Sequence, residues 1–115
     1  MLKQILVIED DSSIRELLTE ALRECGYQAT ATANGAKALE LVANKTFDLI
    51  TTDLHFPEGD GNQLLDELSR HTPQTPVIVV SDITKALKPH CQVKAIVSKP
   101  FDLDKLLAVV DENAK

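Results

Sequence analysis

The sequence is short of the features that mark several protein classes. Only two of its 115 residues are cysteine. Cys25 and Cys91 have neither CxxC spacing nor a secretory context, so a disulfide is not expected and both read as core or surface thiols. The N-terminal apolar run Ile5-Leu6-Val7-Ile8 is too short for a signal-peptide core or a membrane span, and it leads directly into Glu9-Asp10-Asp11. A soluble, cytoplasmic protein with no membrane partner is expected. Bases are the minority charge: 12 Lys and Arg stand against 18 Asp and Glu, for a net charge of −6. Binding to a nucleic-acid backbone needs clustered cations, so the charge balance argues against that partner. GxxxxGK[ST] is absent, which excludes a P-loop nucleotidase. What is present, 43% hydrophobic and 26% charged residues, suits one globular domain over residues 1–115 with no room for a second.

Along the chain, short β-branched runs alternate with helical periodicity. Gln4 to Ile8 reads as a strand buried on both faces. Ser13-Ile14-Arg15-Glu16 has a capping-box pattern. Ile14, Leu17, Leu18, Ala21, Leu22 and Cys25 then form one helical stripe, which Gly26 stops. Tyr27 to Thr32 is a weaker strand. Asn34-Gly35 is expected to turn the chain into a helix marked by Ala38, Leu39, Val42 and Ala43. Phe47 to Thr52 is a strand, and a loop with Pro57, Gly59 and Gly61 precedes a helix carrying Leu64, Leu65 and Leu68. Val77 to Val80 and Ala95 to Val97 are the remaining strands. Leu103, Leu106, Leu107 and Val110 mark the last helix, with Asp102 as its N-cap. From Ile83 to His90 little periodicity survives, and Pro89 interrupts any helix. Five strands alternating with helices predict an α/β fold: a parallel sheet covered on both faces.

Ligands of such sheets bind outside the carboxyl ends of the strands, where the strand order reverses. The first strand ends in Glu9-Asp10, the third in Asp53, the fourth in Ser81 and the last in Lys99-Pro100. Two carboxylates about 4 Å apart repel by about 4 kcal/mol at an effective dielectric near 20. Protonation, the Lys99 ammonium or a divalent cation could offset that repulsion. An all-oxygen donor set favours Mg²⁺, tolerates Mn²⁺ and disfavours zinc. The same arrangement suits phosphoryl transfer, which needs in-line positioning and neutralised oxygens. Asp53, alone at its strand end, is the candidate nucleophile, while Glu9 and Asp10 suit the metal. Asp11 reads as a solvated or helix-capping acid. His71 and His90 read as solvated loop residues.

At these positions the sequence resembles the receiver domain of two-component response regulators, and the likeness covers essentially the whole chain. It is carried by Leu6-Val7-Ile8-Glu9-Asp10-Asp11 with Arg15 following, Leu49-Ile50-Thr51-Thr52-Asp53-Leu54, and Pro57-Glu58-Gly59-Asp60-Gly61. Ser81 after Val77-Ile78-Val79-Val80 and the run Ser98-Lys99-Pro100-Phe101 complete it. The resemblance implies a doubly wound, flavodoxin-like sheet of order 2-1-3-4-5. It implies that Asp53 accepts a phosphoryl group from a histidine kinase or phosphotransfer domain, and that the partner-binding surface changes in response. Asp10, Asp53 and the backbone carbonyl of His55 would bind Mg²⁺, with Glu9 acting through water. Ser81 and Lys99 would hold phosphoryl oxygens, and Lys99-Pro100 would be cis. Beyond self-phosphorylation and self-dephosphorylation no enzymatic activity is implied. The output would pass to a separate protein or to an output domain cut away, and a native stop after the last helix would make a stand-alone regulator.

Four departures from the family pattern bear on activation. Ile96 stands three before the lysine, where many members have an aromatic switch residue. Asp82 follows Ser81, where a small residue is usual. The segment from Ser81 to Lys99 is about one helical turn, roughly four residues, short, so a stunted fourth helix is expected. The positions that tune water access are His55 and Ile83, and an apolar Ile83 implies slow self-dephosphorylation. Among rivals, a haloacid-dehalogenase-type phosphatase would need an acid where His55 stands. A flavodoxin would not place Glu9-Asp10-Asp11 at its phosphate loop. The alternative of a different kind is a receiver-like interaction module that works without phosphorylation.

Overall fold

The structure, a computed structural model, describes residues 2–56, 59–82 and 90–114. Five strands, β1 (Gln4–Ile8), β2 (Gln28–Thr32), β3 (Leu49–Thr52), β6 (Val77–Ser81) and β7 (Val93–Ser98), form one sheet in the order β2-β1-β3-β6-β7 with every pairing parallel. Counted within this sheet alone, the order is the expected 2-1-3-4-5. A two-stranded antiparallel ribbon, β4 (His55–Phe56) and β5 (Gly59–Asp60), stands apart from it in the segment expected to be a plain loop. The described helices are α1 (Ser12–Glu24), α2 (Gly35–Asn44), α3 (Gly61–His71) and α4 (Leu103–Asn113). The expected stunted helix, with Ile83 and Pro89, lies outside the described residues.

Alternation along the buried strands splits the core in two. Leu6 and Ile8 of β1, Ile50 of β3, and Val77 and Val79 of β6 pack against Ala38 and Val42 of α2 and Leu64, Leu65 and Leu68 of α3. Ile5, Val7, Leu49, Ile78 and Val80 face the other way, against Leu18 and Leu22 of α1 and Leu106 and Val110 of α4. Successive side chains of a strand point to opposite faces, so a strand covered on both sides favours apolar residues at consecutive positions, which is why β1 and β6 lack a polar period, while β3 buries Thr51 and Thr52 as well. Each buried leucine in such a layer is worth about 2–5 kcal/mol against alanine.

Local rules account for the helix ends, with some corrections. Asp11 caps α1 by accepting from the Ile14 N–H at 3.1 Å, so the capping-box reading at Ser13 gives way to an acid two residues earlier. Asn34 caps α2 through Lys37 N–H at 3.0 Å, and Gly35 opens that helix rather than serving a turn. Asp102 caps α4 as expected. Gly26, at φ +92°, ends α1 in a conformation that only glycine adopts without strain. The expected α1 stripe is too wide. Leu17 is 47% exposed and Cys25 is exposed, whereas Thr19 is buried with its hydroxyl donating to the Arg15 carbonyl at 2.6 Å.

Two further polar residues pack against the body of the domain, Gln92 buried and His90 partly so. Gln92 Nε2 donates to the Thr72 and Thr75 carbonyls at 2.7 and 2.8 Å, tying the turn before β6 to the entry of β7. His90 is no solvated loop residue. Its side chain is 11% exposed, and Nδ1 lies 3.4 Å from Asp66 Oδ1 of α3.

Candidate phosphoacceptor and cation site

Sheet register assembles the site. Ile8 of β1 pairs with Thr52 of β3, so the next residue on each strand, Glu9 and Asp53, leaves the sheet side by side at adjacent carboxyl ends. The bond from Asp53 N–H to the Ile8 carbonyl, 3.2 Å, extends the ladder one step. Between β1 and β3 the order reverses, because β1 pairs with β2 on its other edge. This is the crevice where doubly wound sheets bind ligands. From beyond β6, Lys99 reaches back from the end of β7, with its N–H donating to the Ser81 carbonyl at 3.1 Å. The Lys99-Pro100 bond is cis, as the resemblance implies.

The carboxylates meet in a largely closed place. Glu9 is 2% exposed and Asp53 4%, whereas Asp10 is exposed. Lys99 Nζ donates to Glu9 Oε1 and to Asp53 Oδ2, each at 2.7 Å. Asp53 Oδ1 also accepts the Leu54 N–H at 2.6 Å, and Glu9 Oε2 accepts the Asp11 N–H at 3.1 Å. Burial pushes the Glu9 carboxyl from 4.5 up to about 7, although the hydrogen bonds from Lys99 and Asp11 pull it down. For Lys99, burial lowers the pKa, but hydrogen bonds to Asp53 and Glu9 outweigh it and hold the ammonium above its ordinary value. Two of the three anticipated offsets to carboxylate repulsion are therefore visible: an ammonium between the acids, and an easier proton on Glu9.

The third offset, a divalent cation, fits the donor set. Oxygens of Glu9, Asp10 and Asp53 all lie within 4.8 Å of one another. Six oxygens about 2.1 Å from Mg²⁺ stand no more than about 4.2 Å apart, so a small inward shift would let these acids share one ion. No nitrogen or sulfur donor stands in this group.

The other candidates are placed less completely. Ser81 ends β6 fully buried at the same edge of the sheet. His55 opens β4 two residues past Asp53, its backbone paired with Asp60. Asp82 is exposed. Ile96 is 49% exposed on β7, the edge strand, and borders a shallow groove of about 430 Å³ with Phe101, Lys105 and Val109. Ile83 lies outside the described residues.

Gly61 and Arg15 act close to the acids without having been assigned a role from sequence. A Cβ on Gly61 would stand 2.5 Å from the Leu54 Cα and carbonyl oxygen, so α3 starts in backbone contact with the residue after Asp53. Arg15 Nη1 donates to the Glu9 carbonyl at 2.9 Å. A glycine directly before the helical pattern of Leu64, Leu65 and Leu68 was the signal for the first, and a cation in the opening turns of α1, five residues past Asp10, was the signal for the second.

A five-stranded doubly wound sheet with a lysine between two buried acids at its switch point defines a class of phosphoryl-handling signalling domains. The chain belongs to the response regulator receiver domain family, which matches residues 5–111. It is 38% identical over 111 residues to the DNA-binding transcriptional regulator NtrC of Escherichia coli, covering 93% of this chain and 24% of that protein. The chain thus spans about a quarter of the length of that relative. It is 32% identical over 115 residues to the response regulator receiver protein CpdR of Brucella abortus, covering 96% of each. Its fold matches the receiver domain of a sensor histidine kinase from Pseudomonas aeruginosa, determined with a magnesium ion coordinated in the active site cleft. That match has a TM-score of 0.87 at 22% identity, over 99% of this chain and 98% of the other. No described helix is long and apolar enough to cross a membrane.

Proposed function

We propose that Asp53 is the phosphoacceptor of this receiver domain and that residues 1–115 act as one such unit. The observation that carries the reading is the placing of Lys99 Nζ 2.7 Å from both Asp53 and Glu9, with oxygens of Glu9, Asp10 and Asp53 within 4.8 Å. In the transfer, an Asp53 carboxylate oxygen attacks the donor phosphorus in line. The P–N bond to a phosphohistidine breaks, and its electron pair stays on the imidazole nitrogen, which takes up a proton. Lys99 then turns from the Asp53 carboxylate to the incoming phosphoryl oxygens, and Ser81 donates its hydroxyl to another. Asp10, Asp53 and the His55 carbonyl would hold Mg²⁺ directly, with Glu9 acting through water; Mn²⁺ would serve in its place. When bound, the ion supplies positive charge to the phosphoryl oxygens and to the acids around them.

The donor would be a histidine kinase or phosphotransfer domain in the cytoplasm, and the output an unidentified protein or domain. An apolar Ile83 at the water-tuning position leads to slow self-dephosphorylation. A phospho-Asp53 half-life of only seconds, in Mg²⁺ without a phosphatase, would contradict that point alone.

The test is incubation with Mg²⁺ and acetyl phosphate, followed by mass spectrometry. One phosphoryl adduct, stable in acid, labile in base and lost in Asp53→Asn, is expected. No adduct from acetyl phosphate or other small donors, with partner binding unchanged in Asp53→Asn, would instead favour an interaction module that works without phosphorylation.

A further inference from the structure

The acidic loop after β1 is held by a residue that touches none of its carboxylates among the described residues. Glu9 is the last residue of this segment tied to the sheet, its N–H donating to the Thr32 carbonyl at 3.0 Å. From Asp10 the chain departs toward α1, and Asp10 itself is exposed. Arg15 takes over at that point. Its Nη1 donates to the Glu9 carbonyl at 2.9 Å and more weakly to the Asp10 carbonyl at 3.4 Å. Its own N–H donates to the Asp11 carbonyl at 2.9 Å, opening the helical ladder of α1. One residue therefore engages three successive carbonyls, those of the two acids and of the N-cap that follows them.

We propose that Arg15 is a positioning residue for the cation site. By clamping the Glu9 and Asp10 carbonyls it fixes the backbone from which both side chains project, so Asp10 reaches the ion from an ordered loop. The guanidinium suits this task because Nη1 carries two hydrogens in a rigid plane, so one nitrogen reaches both neighbouring carbonyls in fixed geometry. This inference rests on the Mg²⁺ reading of the site.

Its effect has a sign that separates it from simple electrostatics. Arg15 is a cation beside a site for a cation. Acting through charge alone, its removal would tighten Mg²⁺ binding. Acting through position, its removal weakens binding, as loss of the groups that orient metal ligands generally does.

The experiment is calorimetric titration of Mg²⁺ into wild type, Arg15→Ala and Arg15→Lys near neutral pH, with thermal melts of each in EDTA. For Arg15→Ala we expect about tenfold weaker binding, with Arg15→Lys, which keeps the charge but has a shorter, freely rotating head in place of the rigid plane, between it and wild type. Phosphorylation by acetyl phosphate should then need more Mg²⁺ for half-maximal rate but recover its maximum at saturation. Binding by Arg15→Ala as tight as wild type or tighter overturns the proposal, whatever the melts show. If that variant does not fold, Arg15→Lys decides: weaker binding supports the proposal and unchanged binding overturns it. A wild-type protein that binds no Mg²⁺ overturns the reading of the site, and this inference with it.

Discussion

Glu9 makes the metal-free protein lose stability as the pH rises toward neutrality. Its carboxyl is pushed from 4.5 up to about 7, burial being the chief cause. Between those values the folded state holds a proton that the unfolded state has released, so unfolding stability falls with rising pH. The contribution is complete below 4.5 and is lost as the pH passes 7. At 1.36 kcal/mol per unit, it amounts to about 3 kcal/mol. Other carboxylates titrate over part of the same range, so the quantity to measure is the difference between wild type and Glu9→Gln. Gln keeps the shape and cannot ionise, but its single carbonyl oxygen can accept from Lys99 or Asp11 and not both, so the variant carries a constant offset and the change of the difference with pH is the quantity compared. The chain has no tryptophan, so urea unfolding in EDTA is best followed by far-ultraviolet circular dichroism. Relative to Glu9→Gln, wild type should lose about 3 kcal/mol between about pH 4.5 and 7.5 and stay level above that. Mg²⁺ at about 100 times its dissociation constant should then return about 2.7 kcal/mol to wild type at the upper pH. A difference that is flat, or that grows in favour of wild type with rising pH, would refute the argument that burial outweighs the lysine at Glu9.

Three other perturbations probe the frame around the site. Gly61→Ala should cost about 1–3 kcal/mol of thermal stability, because the new Cβ meets the Leu54 backbone at 2.5 Å; an unchanged melting temperature would contradict the close approach. Asp102→Ala should cost about 1 kcal/mol by freeing the Asp104 and Lys105 N–H groups, and Asp102→Asn should recover most of it in the same urea assay. Tyr27 donates to Asp111 Oδ1 at 2.7 Å, and burial together with that acid raises its phenol to about 12. It is the only tyrosine in the chain, so its ultraviolet titration reads this site alone. Asp111→Asn should move the midpoint part of the way down toward 10, and a midpoint that stays put would leave burial as the whole cause.

Much of the site was legible in sequence because its chemistry is local to strand ends. Glu9, Asp10 and Ser81 follow apolar runs whose length and β-branching announce a buried strand, and Asp53 and Lys99 follow shorter β-branched runs ending in Thr and Ser. Asp102 was equally plain, since a capping side chain and the N–H groups it serves are neighbours in the chain. The errors arose where two local rules competed or where partners were distant. Ser13 with Glu16 satisfies a capping pattern, but Asp11 offers a charged acceptor closer to the strand and takes the cap. Leu17 shares the helical period of Leu18 and Leu22, yet the sheet covers only part of the stripe, and Leu17 remains 47% exposed. His90 and Gln92 look like polar loop residues, and only their packing against Asp66, Thr72 and Thr75 takes the first partly and the second almost wholly out of solvent.

By itself the sequence determined the alternation of strands and helices, the two-sided burial of the central strands, and the kind of atom delivered at each strand end. These follow from side-chain period, capping and polarity, which act over a few residues. Tertiary structure alone decided which ends meet. The pairing of Ile8 with Thr52 puts Glu9 beside Asp53. The placing of β7 beyond β6 makes Lys99 reach across the sheet end to both acids. Strand order and register are set by packing between segments far apart in the chain, and the raised carboxyl of Glu9 exists only once that packing has removed its water.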